Sequence, residues 1–258
     1  MPTSSLKASP LGEAPKSLLQ RGAIMRLDKF LSQCGYGTRT EVKKLIKSGR
    51  VQVEDTAPIR PETQIDEGSA KVFVDGSAAL YRRYIYLMLN KPGGYISATW
   101  DKKLPTVIDL LPEEYLHFEP SPVGRLDIDT EGLLLLTNDG DLNHRLLSPK
   151  HHVPKTYIAE VLNPVSDRDI EIFKSGMDLG DFTTLPAKLE IISNQPPYTA
   201  QVTICEGKFH QVKRMFEKVD NKVLYLKRIK MKNLELDPNL ELGQVRELTP
   251  KELEDLCK

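Results

Sequence analysis

Residues 25–55 read MRLDKFLSQCGYGTRTEVKKLIKSGRVQVED. Leu27, Phe30 and Leu31 stand at i, i+3 and i+4, the spacing of one helix face. Gly35 and Gly37 close that helix. Thr38 or Thr40 can cap a second helix, in which Val42, Leu45 and Ile46 repeat the apolar pattern until Gly49 stops it. Val51 and Val53 then alternate with polar residues, as in a half-exposed strand. The unit is helix, tight turn, helix, strand. Its bases Arg26, Lys29, Arg39, Lys43, Lys44, Lys47 and Arg50 fall mostly off the apolar stripes, which predicts that they face outward.

Upstream, residues 1–24 are rich in Ser, Pro and Ala and show no apolar periodicity or secretory core. They read as a disordered tail or as translation from an upstream start codon. Downstream, residues 56–83 hold a short strand-like piece at Lys71–Val74 and a turn at Asp75-Gly76, and Tyr81-Arg82-Arg83 reads as a junction. Strand patterns follow at 84–89, 132–137, 156–161, 189–192, 200–204 and 222–229, with helical patterns at 105–111, 141–147, 167–175 and 210–218. Asn90-Lys91-Pro92-Gly93-Gly94 reads as a turn, and so does Asp139-Gly140. Thr249-Pro250-Lys251-Glu252 has a capping-box arrangement with Pro at the first helical position, so a short C-terminal helix is expected. The fold class is α+β: a small helix-turn-helix domain with short strands, then a larger domain on a mixed or antiparallel sheet. The expected divisions are 1–24 tail, 25–82 first domain, 83–245 second domain and 246–258 C-terminal helix.

The 258 residues carry 36 basic and 36 acidic side chains, a formal net charge of +0. Charge is therefore informative only in its distribution. One basic island lies at 26–50, and another at 208–232, where Lys208, Lys213, Arg214, Lys218, Lys222, Lys227, Arg228, Lys230 and Lys232 face only Glu217 and Asp220. Two such islands in a neutral chain suggest two surfaces for a polyanion, although solvated faces would look the same. Cys34, Cys205 and Cys257 are far apart and lack paired spacing, which fits a reducing compartment, the cytoplasm, with no disulfide framework and no zinc site. No apolar run approaches the roughly 20 residues that span a membrane.

The stretch RLDKFL…TRTEVKKLIKSGRVQV resembles an S4 RNA-binding domain over residues 25–80. The resemblance implies that Arg26, Lys29, Arg39, Lys43, Lys44, Lys47 and Arg50 face structured RNA. A rigid basic helix pair suits A-form RNA, which is met mainly through its shape and phosphates.

The second domain contains Gly124-Arg125-Leu126-Asp127-Ile128-Asp129-Thr130-Glu131-Gly132-Leu133, with a leucine run directly after it. From local chemistry alone, an ion-paired surface loop is the plainer reading. The stretch resembles the catalytic motif of the RsuA/RluA superfamily of pseudouridine synthases. NKPGG at 90–94, KTY at 155–157 and EGKFHQVKRMF at 206–216 resemble that superfamily's other motifs, in the same order. The HHVPKTY and GKFHQVKRMF forms are most similar to the RsuA branch, which acts on small-subunit (16S) rRNA.

The resemblance implies a role for each matched residue. Asp127 is the catalytic carboxylate, acting as a nucleophile or as a stabiliser of a sugar cation that also accepts a proton. Arg125 braces the space left by a flipped base. Tyr157 stacks on that base or helps to move a proton. Lys213 pairs with the catalytic carboxylate, where many relatives carry Arg. Lys208 and Arg214 contact phosphates, and His210 is structural or an RNA contact. Lys91 to Gly94 brace the active-site loop. Asp129 stands off the motif position.

The implied reaction moves uracil from an N-linked to a C-linked attachment on the same ribose, so it needs no redox or energy cofactor. The sequence shows no phosphate-binding glycine loop and no spaced metal-ligand cluster, and His151-His152 lack further ligands. The implied partner is ribosomal RNA, with 16S favoured, free or in an assembling small-subunit particle, and the protein is expected to act as a monomer. A 23S rRNA substrate and a non-catalytic S4 assembly protein are the alternatives. The HQVKRM segment argues against the first, and the intact Arg125, Asp127, Tyr157 and Lys213 set against the second.

Overall fold

The computed structural model describes residues 23–258. Most of the expected N-terminal tail therefore lies outside the described residues. The chain divides into two compact units between Tyr81 and Arg82.

In the first unit, β1 (Ile24–Arg26) leads directly into α1 (Leu27–Gln33), and a glycine-bounded turn leads to α2 (Arg39–Lys47). Thr38, not Thr40, caps α2. Its hydroxyl accepts from Glu41 N, while Glu41 accepts from Thr38 N at 2.8 Å, a reciprocal capping box. The remaining strands are β2 (Val51–Val53), β3 (Gln64–Asp66), β4 (Val72–Val74) and β5 (Ser77–Ala78). β3 pairs with β1, and β4 lies between β2 and β5. Leu27, Phe30, Leu31, Val42 and Ile46 are buried against Val51, Val53, Val72 and Val74 in one small core. Because the two apolar stripes meet there, all seven basic residues named above are left exposed.

The second unit contains β6 (Tyr86–Lys91), α3 (Glu113–Leu116), β7 (Ser121–Pro122), β8 (Glu131–Thr137), α4 (Gly140–Leu147), β9 (Lys155–Val161), α5 (Asp167–Ser175), β10 (Lys188–Ser193), β11 (Tyr198–Ile204), α6 (Gln211–Lys218), β12 (Val223–Met231), β13 (Leu234–Glu235), β14 (Val245–Glu247) and α7 (Pro250–Cys257). The expected helix at 105–111 is a single tight 3-10 turn, Val107–Leu110. Asp139 does not make a turn; its carboxylate caps α4 by accepting from Leu142 N at 3.0 Å.

The main sheet runs β10-β11-β9-β12-β8-β6-β14. It is two antiparallel halves joined by one short parallel seam, in which Lys227 pairs with Glu131 and Arg228 with Gly132. Leu134 and Leu136 of β8 enter the core beside α5 and α6, which also holds Phe173, Met215 and Phe216. Leu133 and Leu135 enter the opposite core with Leu142, Leu146 and Leu256. A strand covered on both faces reads as a continuous apolar run, which explains the four leucines.

Residues 246–258 are not an appendage. Val245–Glu247 pair with Leu87–Leu89 in the sheet, and Leu256 is fully buried. The expected boundary at 245/246 thus falls inside a strand. A three-residue strand carries too little alternation to be read from sequence.

Candidate active site

The seam locates the site. Gly132 has φ +98° and lies so close to β12 that a Cβ there would meet Arg228 O at 2.2 Å. Beyond this point β8 and β12 are no longer paired. The buried Arg228 side chain donates from Nε to Leu133 O at 2.7 Å. The loop Gly124–Thr130 immediately precedes β8, so it emerges at the other end of the seam, where Leu226 of β12 shares the lining of one cleft with Asp127 and Thr130.

Lys91, at the end of β6, holds that loop. Its fully buried ammonium donates to Pro92 O (3.0 Å), Asp127 O (3.1 Å), Ile128 O (3.3 Å) and Thr130 O (2.9 Å). Gly94 N adds a bond to Ile128 O at 2.8 Å, and Ser97 Oγ exchanges bonds with the backbone of Leu126. Lys91 therefore shapes the loop through its carbonyls and leaves the Asp127 carboxylate free. Burial pushes the Lys91 ammonium down to about 8, against Asp129, Glu131 and Asp127, which pull it up.

The loop opens onto a small, partly open cleft whose walls include Arg125, Asp127, Thr130, Tyr157, Lys208, His210 and Lys213, with Leu126, Ile204, Val212 and Leu226 as its apolar lining. The four side chains given catalytic roles by the sequence, Arg125, Asp127, Tyr157 and Lys213, all line it. Tyr157, from β9, is 6% exposed, which suits a ring that forms a wall. Two residues earlier, buried Lys155 donates to Val153 O at 3.0 Å, and burial pushes its ammonium down to about 8.

Lys213 Nζ is 3.5 Å from Asp127 Oδ2 but 2.6 Å from Asp129 Oδ1. The closer partner is thus the carboxylate that the motif sets aside. The Lys213 hydrogen bond holds Asp129 below the usual carboxylate range. His210 Nε2 lies 3.7 Å from Asp127 Oδ1, so two basic side chains flank this carboxylate.

The expected phosphate contacts divide into two groups. Lys208 is exposed at the cleft. Arg214 is instead occupied: it pairs with Asp181, donates to Leu179 O at 2.9 Å and lies over the Phe182 ring. In the first unit Arg26 is held by Asp28 and Arg50 by Asp75, while Lys29, Arg39, Lys43, Lys44 and Lys47 have no ion pair among the described residues. Among the described residues, no group of three His, Cys, Asp or Glu side chains could hold a metal ion.

The model of the RNA pseudouridylate synthase family matches residues 85–218, and the S4 domain model matches residues 25–68. The chain belongs to the RNA pseudouridylate synthases. Among its relatives in this family is the uncharacterized RNA pseudouridine synthase YtzG of Bacillus subtilis. It is 50% identical over 231 residues, covering 89% of this chain and 97% of the relative. The ribosomal small subunit pseudouridine synthase A of Haemophilus influenzae is 39% identical over 236 residues, covering 91% and 100%. A crystal structure of a pseudouridylate synthase superposes with a TM-score of 0.63 at 36% identity, over 90% of this chain and 99% of that one.

Within this pseudouridylate synthase, the cleft brings together two contacts that the sequence left apart. Asp129 pairs with Lys213, and His210 approaches Asp127, while the bracing of the loop expected of Lys91 to Gly94 is supplied by the Lys91 ammonium and Gly94 N. The one sequence signal for the first contact is that Asp129 stands two residues from Asp127. Contacts between a loop and a helix more than 80 residues away leave no periodic trace.

Proposed function

We propose that this pseudouridine synthase isomerises a uridine of small-subunit (16S) rRNA, acting as a cytoplasmic monomer, with Asp127 as its catalytic carboxylate. The observation that carries the reading is the convergence of Arg125, Asp127, Tyr157 and Lys213 on one cleft. The similarity to ribosomal small subunit pseudouridine synthase A supports the substrate.

The target uridine is stacked in RNA and must turn out to reach the cleft. Arg125, exposed at the rim with no ion pair among the described residues, is free to brace the vacated position. The uracil ring enters against Tyr157. The C1′–N1 bond then breaks and its electron pair leaves with the base. Asp127 meets the electron-poor ribose, as nucleophile or as proton acceptor. The base turns within the cleft, C5 bonds to C1′, the C5 proton leaves, and N1 takes up a proton. Reactant and product are isomers, so no external oxidant, reductant or nucleotide enters the balance. Lys213, shared between Asp127 and Asp129, holds positive charge beside the carboxylate throughout. The exposed lysines of the first unit add affinity through phosphate contacts.

The test is pseudouridine mapping of both ribosomal RNAs, by carbodiimide labelling and primer extension, in cells with and without the gene. Loss of one 16S stop is expected. Loss of a 23S stop instead would overturn the substrate, and unchanged maps would overturn the rRNA reading.

A further inference from the structure

Phe209 is 72% exposed, unusual for a phenylalanine beside a cleft. Its ring stacks on His210 with centroids 3.8 Å apart and planes 16° apart. His210 in turn reaches Asp127, its Nε2 lying 3.7 Å from Oδ1. The two rings therefore form a planar stack that starts at the candidate catalytic carboxylate and ends on an aromatic face open to solvent.

The stack is held in place by its turn. His210 has φ +50°, a left-handed conformation that costs energy outside glycine and persists only where the surroundings impose it. Gln211, 2% exposed, imposes it here: its Oε1 accepts from Lys208 N at 3.1 Å and its Nε2 donates to Glu206 Oε1 at 2.7 Å. Glu206 is itself fixed by Leu185 N at 2.8 Å. Arg214 N closes the turn from α6 by donating to His210 O at 3.0 Å. The turn thus holds the Phe209 ring flat on His210 while leaving most of its surface open to solvent.

We propose that the outer face of Phe209 is a stacking platform for the nucleobase next to the target uridine. This inference rests on the RNA-modifying reading and deepens it. When a uridine leaves the stack, its neighbour loses one π-face contact. Aromatic side chains accept unstacked RNA bases without regard to sequence, and a cationic rim draws the phosphates into place. Lys208, adjacent to Phe209, and Arg125 supply that rim. Because the platform engages only when the target is turned out, it favours the reactive state over the merely bound one.

The experiment uses the full chain and a transcript of small-subunit rRNA. Phe209→Ala is expected to slow single-turnover isomerisation about five- to hundredfold, with Phe209→Trp close to wild type. The Kd for the transcript should change less than about threefold, because phosphate contacts dominate it. Trp100 is the chain's one tryptophan and is 75% exposed, so Trp100→Phe clears the background. In that background Phe209→Trp should lose emission when the transcript binds, a signature that a purely structural residue would not give. Unchanged turnover in Phe209→Ala, or unmoved Trp emission in the bound complex, would overturn the platform. A wild-type protein that binds the transcript but modifies none of its uridines would overturn the small-subunit reading instead; the turnover and emission readouts of the Phe209 variants are then taken on a transcript of large-subunit rRNA, where the same two outcomes decide the platform.

Discussion

Lys213 lies closer to Asp129 than to Asp127, at 2.6 Å against 3.5 Å. An ammonium shared in this way neutralises less of the Asp127 charge than a full pair would, and it is anchored by a carboxylate that need not touch substrate. Asp129→Asn should release Lys213 to pair fully with Asp127. Single-turnover rates are expected to fall, by less than Lys213→Met lowers them, with RNA affinity unchanged. Equal rates for Asp129→Asn and wild type would remove Asp129 from this positioning role.

Lys91→Met would leave the carbonyls of Pro92, Asp127, Ile128 and Thr130 without their shared donor. Unmet buried acceptors make this cost about 2–3 kcal/mol, measurable as a lower urea midpoint. The same residue sets an alkaline limit. As pH rises through about 8, the folded-state ammonium loses its proton and with it a donor to the loop. Activity should decline there. Stability should not fall for this reason: between about 8 and the ordinary 10.5 the unfolded chain binds more protons at Lys91, so the linkage favours the folded state as pH rises. An activity profile flat to pH 10 would contradict the clasp.

Gly132→Ala tests the seam. The new methyl would stand against the Arg228 backbone at a φ suited to glycine, so strain and steric overlap act together. The expected destabilisation is more than about 3 kcal/mol, read by thermal or urea unfolding. A change under 1 kcal/mol, by the same scale, would mean that β8 and β12 can part without consequence.

In the first unit, Lys43, Lys44 and Lys47 carry charge with no ion pair among the described residues, while Arg26 and Arg50 are paired. Replacing the three lysines by Gln should reduce the slope of log K against log salt by about 2–3. Arg50→Gln should change it less. Equal slopes for the triple variant and wild type would make this face a solvated surface only.

These relationships differ in how far the sequence disclosed them. The paired helices of 27–47 were legible because Leu27, Phe30, Leu31, Val42 and Ile46 keep a helical period and because Gly35, Gly37 and Gly49 interrupt it. Their core is local, so pattern and packing coincide. The cleft residues Arg125, Asp127, Tyr157 and Lys213 were legible as motifs, but their pairing was not. The preference of Lys213 for Asp129 depends on where α6 sits over a loop 84 residues earlier. Lys91 read as part of a turn, because nothing in NKPGG reports that the lysine is buried. The parallel seam between β8 and β12 spans only two residue pairs, too few for a strand pattern, and Gly132 marks it only through a backbone approach that sequence alone does not reveal.

The proposed role of Asp127 as the catalytic carboxylate is tested by Asp127→Asn with almost no change of shape. Lys91 and Gly94 hold the loop through backbone atoms, so the amide should occupy the same place. The measurement is single-turnover pseudouridine formation in small-subunit rRNA, with RNA affinity determined in parallel. Asp127→Asn is expected to form no detectable pseudouridine at an unchanged Kd; turnover near the wild-type rate would remove Asp127 from the chemistry.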